Sequence, residues 1–282
     1  MVGKKMYRVS KVLNNNGIIA INMEENQEYV LLGKGVGFGK KVSQRFDKPE
    51  GCTTYRLEQE TERGSAKELV KGIEPEYLEI ADAILTESQK VFGDSIDRGI
   101  LFPLADHISF AVARIRRNEQ ISNPLTEDIK VLFYSEFKVA ETLKTILRER
   151  LQIEIDDHEV GYVALHIHSA IGDEKVSVAM QTARAVRECI DMIEKATGKP
   201  IDVLSLSYNR LMNHMKYMVA RASTGEKLNL DMNEYMLDQY PQAYKVATDI
   251  CKNLEGCIGH KLDETETGYL AMHIQRVYKD AV

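Results

Sequence analysis

The stretch Asp156-Asp157-His158-Glu159-Val160-Gly161-Tyr162-Val163-Ala164-Leu165-His166-Ile167 returns 107 residues later as Asp263-Glu264-Thr265-Glu266-Thr267-Gly268-Tyr269-Leu270-Ala271-Met272-His273-Ile274. The same shift carries Leu104-Ala105-Asp106-His107 onto Leu211-Met212-Asn213-His214 and Val112-Ala113-Arg114 onto Val219-Ala220-Arg221. It also carries Phe137-Lys138-Val139-Ala140 onto Tyr244-Lys245-Val246-Ala247. Separate blocks that share one offset without a gap mean one domain written twice, here over 67–172 and 174–282. Its periodicity is helical: Tyr77, Ile80, Ala81, Ile84 and Leu85 form a stripe behind Pro75, a residue suited to a first helical turn. Further stripes predict helices over Ile100–Arg116, Val131–Leu147, Glu159–Ile171, Val176–Ile193, Val203–Arg221, Tyr244–Leu254 and Glu266–Val277.

Four of the seven histidines are reproduced by the repeat: His107 and His166 lie 59 residues apart in the first copy, His214 and His273 59 apart in the second. His158, His168 and His260 have no counterpart at that shift. Retention of both members in both copies favours a shared site over a packing role. Imidazole pairs bind metals, move protons or carry phosphate. The spacing lacks the i, i+4 pattern of a helical zinc site, and the members of His166-Ile167-His168 point apart on a helix. No nucleophile elbow, kinase signature or Walker loop is present. A metal-dependent hydrolase built on duplicated histidine pairs is the enzyme alternative. The expectation is no enzyme, no metal and no cofactor.

Ahead of the repeat the chain changes character. Residues 1–50 carry nine Lys/Arg against five acids, a net of +4, whereas the whole chain has a net charge of −6. A basic head on an acidic body suggests a nucleic-acid-binding module joined to a regulatory one. The head reads as β: strands at Tyr7–Val12, Ile18–Ile21, Tyr29–Leu32 and Thr53–Leu57, with a turn at Asn14-Asn15-Asn16-Gly17. A four-stranded sheet of this size is marginal alone, so a homodimer is expected. Residues 58–66 are charged, contain Gly64-Ser65 and read as a linker. Glycines alternate at Gly33, Gly35, Gly37 and Gly39, which on an extended strand would leave one face bare and the other lined by Lys34, Val36, Phe38 and Lys40. Bare backbone admits a close partner, lysines neutralise phosphate, and Phe38 has a face on which an unpaired base can stack. A flexible hairpin with a core phenylalanine accounts for the same residues equally well.

The four cysteines form no CxxC pair, no apolar run is long enough to span a bilayer, and the N-terminus has no apolar signal core. A cytoplasmic protein without membrane insertion is expected.

Ser10-Lys11-Val12-Leu13-Asn14-Asn15-Asn16 with Leu32-Gly33-Lys34-Gly35-Val36-Gly37-Phe38-Gly39-Lys40-Lys41 resembles the co-antiterminator RNA-binding domain of the BglG-type transcriptional antiterminators. Asp106-His107 with Ala164-Leu165-His166-Ile167, and Asn213-His214 with Ala271-Met272-His273-Ile274, resemble the family's two PTS-regulation domains. The likeness runs through essentially the whole chain in the family's domain order. It implies a small antiparallel β RNA-binding domain over 1–60 followed by two all-α helical-bundle domains over 67–172 and 174–282. It further implies a homodimer that binds a hairpin in nascent leader RNA, blocks an overlapping terminator and switches on sugar-uptake genes. By motif match the RNA contacts would be Lys11, Asn14, Asn16, Gly33, Lys34 and Phe38. His107, His166, His214 and His273 would accept phosphate from a sugar-specific enzyme II and from the carrier HPr. A basic head that binds DNA or protein instead is the remaining rival, and nothing reads as a helix-turn-helix.

Overall fold

The computed structural model describes residues 6–57, 60–61, 64–119, 121–172, 175–198, 200–202 and 205–280. Two compact units result. The first comprises 1–123 with 135–175, the second 124–134 with 176–282.

The first unit opens with an antiparallel sheet of five strands: β1 (Met6–Asn14), β2 (Gly17–Asn22), β3 (Gln27–Leu32), β4 (Arg45–Asp47) and β5 (Thr53–Arg56), in spatial order β4-β1-β2-β3-β5. Alternation makes it a sheet. Tyr7, Val9, Ile18, Ala20 and Leu31 point to one face and bury with Val36, Phe46 and Cys52. The four strands read from sequence become five because β4 is only three residues long, too short for a period to show, yet pairs Tyr7 with Phe46. Between Val9 and Lys11, and again between Val12 and Asn14, the β1–β2 register slips. These bulges change how the strand presents the residues that follow, Lys11 and Asn14.

The glycine segment is not a strand. Gly35 and Gly39 have φ of +73° and +67°, and Val36, Phe38 and Lys40 each donate a backbone N–H to the carbonyl three residues back. Residues 33–39 are therefore consecutive tight turns, in which Gly35 and Gly39 supply left-handed backbone and Gly37 a close approach, instead of one bare strand face. Gly37 docks against the β1–β2 turn, with its N–H on the Asn15 carbonyl; a Cβ there would lie 2.1 Å from the Asn14 carbonyl oxygen.

Within the span read as a linker, β6 (Glu60–Thr61) pairs with β7 (Gly64–Ser65) and α1 (Ala66–Gly72) begins at once; residues 58, 59, 62 and 63 of that span lie outside the described residues. The rest of the first unit is helical: α2 (Pro75–Phe92), α3 (Leu101–Arg116), α5 (Tyr134–Ala140), α6 (Thr142–Leu151) and α7 (Asp157–Gly172). The helix expected over Val131–Leu147 is broken at Phe133 (φ −118°, ψ 46°). What precedes the break, α4 (Thr126–Leu132), belongs to the second unit and packs on its α8 (Val176–Thr197) and α9 (Leu206–Thr224). There the Tyr208 hydroxyl donates to the buried carboxylate of Asp128 at 3.3 Å. Burial pushes that carboxyl up, against the pull of Arg187 and of this hydrogen bond.

The second unit continues with α10 (Asn233–Gln239), α11 (Pro241–Ile258) and α12 (Thr265–Asp280). At the repeat offset α10 is the counterpart of α4, but it packs on α11 and α12 of its own copy. Its first turn comes so close to α12 that a Cβ on Gly268 would meet the Asn233 nitrogen at 2.7 Å. Residue 203, the start of one expected helix, is outside the described residues, and α9 begins at Leu206 with Ser205 accepting from the Tyr208 N–H as an N-cap. Among the described residues no helix is long and apolar enough to cross a membrane.

Candidate functional site

Two surfaces gather the residues singled out in the sequence. On the sheet, the β1–β2 turn and the glycine turns lock together. Asn14 Oδ1 accepts the Asn16 N–H at 2.9 Å, Asn16 Oδ1 accepts the Gly35 N–H at 2.9 Å, and the Asn16 carbonyl accepts the Gly33 N–H at 2.9 Å. The asparagine carbonyls thus hold the turn, while their amide groups donate to the Glu79 carboxylate of α2, Asn14 at 2.7 Å and Asn16 at 3.1 Å. Phe38 is 74% exposed and Lys34 in the same run of turns is exposed, while Val36 between them is buried. Of the two readings open for Phe38, the core one is excluded. Lys11 is exposed on β1. Lys40 lies 4.6 Å from the Phe46 ring centre and acts as a brace behind the loop.

In each helical copy the two histidine rings meet, tilted by 46° in the first and stacked in the second. His107 on α3 and His166 on α7 have ring centres 5.3 Å apart; His214 on α9 and His273 on α12 have ring centres 4.8 Å apart and are stacked. Three of the four rings are buried and His273 is partly so. The other histidines do different things: His168 Nδ1 lies 2.9 Å from the buried Glu136 carboxylate, and His158 contacts the Asn123 backbone.

Behind each pair sits a buried glutamate tied to a partly exposed arginine, a pair that the repeat contains but that residue type alone did not single out. In the first copy Arg114 Nη2 donates to Glu159 Oε1 at 2.8 Å, and Glu159 Oε2 stands 3.5 Å from His107 Nε2. Burial pushes the Glu159 carboxyl up, but His107 and Arg114 outweigh it and hold it below its ordinary value. In the second copy Arg221 takes both oxygens of Glu266, at 2.6 and 2.9 Å, and Oε2 is 3.7 Å from His214 Nε2. A carboxylate committed to a guanidinium fork has little left to offer an imidazolium. Burial accordingly pushes His214 down to about 3, helped by His273 and Arg221. Burial pushes His273 down to about 4, helped by Arg276 and Arg210.

The second pair opens on a cavity of about 430 Å³ whose rim includes Arg210, Asn213, Tyr217, Arg221 and Arg276. Subtracting the offset puts Pro103, Asp106, Phe110, Arg114 and Ser169 at these places in the first copy. The second site is therefore a neutral imidazole pair under three cations, suited to an anion. The first has two fewer cations and an additional acid. Exposed Phe110 and Tyr217 follow the first histidine of each pair by three residues, one helical turn on. Among the described residues no group of three or more His, Cys, Asp or Glu is placed to hold a metal ion.

Comparison with known proteins agrees with this arrangement. The family model for the CAT RNA binding domain matches residues 7–64, and that for the PRD domain matches twice, over 82–170 and 187–277. The chain is 30% identical over 274 residues to the GlcA/glcB genes antiterminator of Staphylococcus carnosus (strain TM300), spanning 95% of this chain and 94% of that protein. It is 27% identical over 278 residues to the transcription antiterminator LicT of Bacillus subtilis (strain 168), spanning 97% of this chain and 100% of that one. A crystal structure of GlcT CAT-PRDI superposes with a TM-score of 0.51 at 29% identity, over 59% of this chain and 99% of that chain. With an RNA-binding sheet at its N-terminus and the same histidine-bearing helical domain twice behind it, the chain belongs to the BglG-type family of transcription antiterminators, a CAT domain followed by two PRD domains.

Proposed function

We propose that this protein is a cytoplasmic antiterminator, not an enzyme, whose N-terminal sheet binds a hairpin in nascent leader mRNA as a homodimer and prevents a terminator from forming. Its domains are 1–60 for RNA and 67–172 and 174–282 for control. The carrying observation is the joint made by the Asn14–Gly17 turn and the glycine turns, which leaves Phe38 74% exposed and Lys34 exposed in the same run of turns. An aromatic ring stacks on any unpaired base, amides read base edges and lysines meet phosphate. Lys11, Asn14, Asn16, Gly33, Lys34 and Phe38 form that surface.

Control comes from phosphoryl transfer onto His107, His166, His214 and His273, donated by HPr and by a sugar-specific enzyme II of the phosphotransferase system. A neutral ring is the nucleophilic form of histidine, and the low values of His214 and His273 keep both rings neutral through the physiological range. The phosphoryl group then adds nearly two negative charges where none stood, enough to recruit or repel a facing helix. Incubation of the full chain with phosphoenolpyruvate, enzyme I and HPr tests this. Acid-labile label is expected on the wild type and absent after all four histidines are replaced by Ala. Undiminished label in that variant refutes the assignment.

A further inference from the structure

We propose that Glu79 of α2 is an intrachain clamp on the RNA-reading amides, so that Asn14 and Asn16 must let go of its carboxylate before the sheet can bind RNA. The proposal rests on the assignment of Asn14 and Asn16 to RNA. Asn14 Nδ2 donates to Glu79 Oε1 at 2.7 Å and Asn16 Nδ2 to Glu79 Oε2 at 3.1 Å. One carboxylate thus spans both amides, across 65 and 63 residues of chain. The carbonyl ends of the same side chains are already committed to the backbone of Asn16 and Gly35. Only the amide ends are free to change partners, and both lie on Glu79.

Charge sharpens the point. Hydrogen bonds to an ionised acceptor are shorter and stronger than neutral ones. An RNA phosphate or base oxygen that approached these amides would meet a carboxylate in its place. Glu79 has a cation to turn to, since Arg150 of α6 stands 3.8 Å from its Oε2. Release therefore need not strand the charge.

The clamp is one of two ties made by the same face of α2. One turn on, Asp82 bonds the Tyr55 hydroxyl of β5 and receives Arg98 Nη2 at 2.7 Å. Arg98 also donates to Tyr55 at 2.7 Å. That half-buried triad ties α2 to β5, an edge strand of the sheet, and uses no atom of Glu79. α2 packs in turn on α3, the helix that bears His107. A charge added at His107 thus has a short packed path to the clamp.

The test measures binding of full-length variants to an RNA hairpin with two internal loops, the best-retained member of a randomised-loop pool selected on the wild-type chain. Glu79→Ala should tighten binding about tenfold, the gain expected if the clamp is open in roughly one molecule in ten. Glu79→Asp should tighten it nearly as much, because a side chain one methylene shorter keeps the charge but cannot reach both amides. Glu87→Ala, a half-exposed acid elsewhere on α2 paired with Lys90, should change nothing, and Asn16→Ala should weaken binding in either background. Tightening in Glu79→Ala with wild-type affinity in Glu79→Asp would mean simple charge repulsion and overturn the clamp. No tightening in either, while Phe38→Ala still abolishes binding, would overturn the clamp and leave the RNA surface standing. Binding indifferent to Asn16→Ala and Phe38→Ala in every background would remove the RNA assignment and the clamp with it.

Discussion

The two helical copies share an offset, a histidine pair and a buried glutamate tied to an arginine, yet they are not electrostatically equal. In the first copy Glu159 gives one oxygen to Arg114 and turns the other toward His107, beside Asp106. In the second, Arg221 occupies both oxygens of Glu266, Asn213 replaces the acid, and Arg210 and Arg276 stand where Pro103 and Ser169 do in the first. Duplication kept the frame that brings two imidazoles together. Divergence changed the charge around them, and with it the readiness of each site to accept an anion. The copies differ in packing too: α10 folds back on its own α11 and α12, whereas its counterpart α4 packs on α8 and α9 of the second unit.

The largest predicted effect separates the two Glu–Arg pairs. Arg221→Ala leaves Glu266, almost fully buried, without its fork and should cost the second unit about 3–5 kcal/mol in chemical denaturation. Arg114→Ala removes a single bond from a more exposed arginine and should cost the first unit less. Equal costs would mean the forked geometry contributes nothing. Next comes the anion site. Arg210→Ala combined with Arg276→Ala should slow phosphoryl transfer to the second copy roughly tenfold, the scale of losing exposed cations that stabilise a developing negative charge. Site-resolved labelling should show the first copy unchanged. A uniform fall in both copies would make the asymmetry irrelevant.

A smaller effect follows from the α4 contact. Tyr208→Phe should destabilise the second unit by about 1 kcal/mol, because it strips a hydrogen bond from buried Asp128. Its repeat counterpart is Leu101, so the first unit has no equivalent loss. A further test is pH, with an effect larger than that of Tyr208→Phe because two histidines titrate together. An unfolded chain takes up protons on His214 and His273 near 6.5, whereas the folded second unit holds them neutral down to about 3 and 4. Its stability should therefore decline as pH falls from about 6.5 toward 4. Ring-nitrogen NMR should find both imidazoles uncharged at pH 5. Signals of a protonated ring there would contradict the burial argument.

Much of this was readable in the residues. A single offset returned the duplicated domain, and subtracting it from Arg210, Asn213 and Arg276 already exposes the charge difference between the sites. That the histidines touch was within reach, since each is carried on a helix with an apolar stripe. The glycine run was not: alternate glycines suit a bare strand and a string of left-handed turns equally. The choice was made by hydrogen bonds from Gly33, Gly35 and Gly37 to residues 15 and 16, which are distant in sequence. The fate of α4 was equally hidden, because an amphipathic helix shows the same pattern whichever core receives it. Glu79 carried no signal at all. It is one acid among many until folding sets it on two asparagines.

The most direct test of the central claim is binding of the full chain to a looped RNA hairpin against a plain RNA duplex and a DNA hairpin of the same length. The account predicts selective binding to the looped RNA, lost in Phe38→Ala. Equal and salt-sensitive binding to all three, unchanged in Phe38→Ala, would contradict it and reduce the sheet to a basic patch.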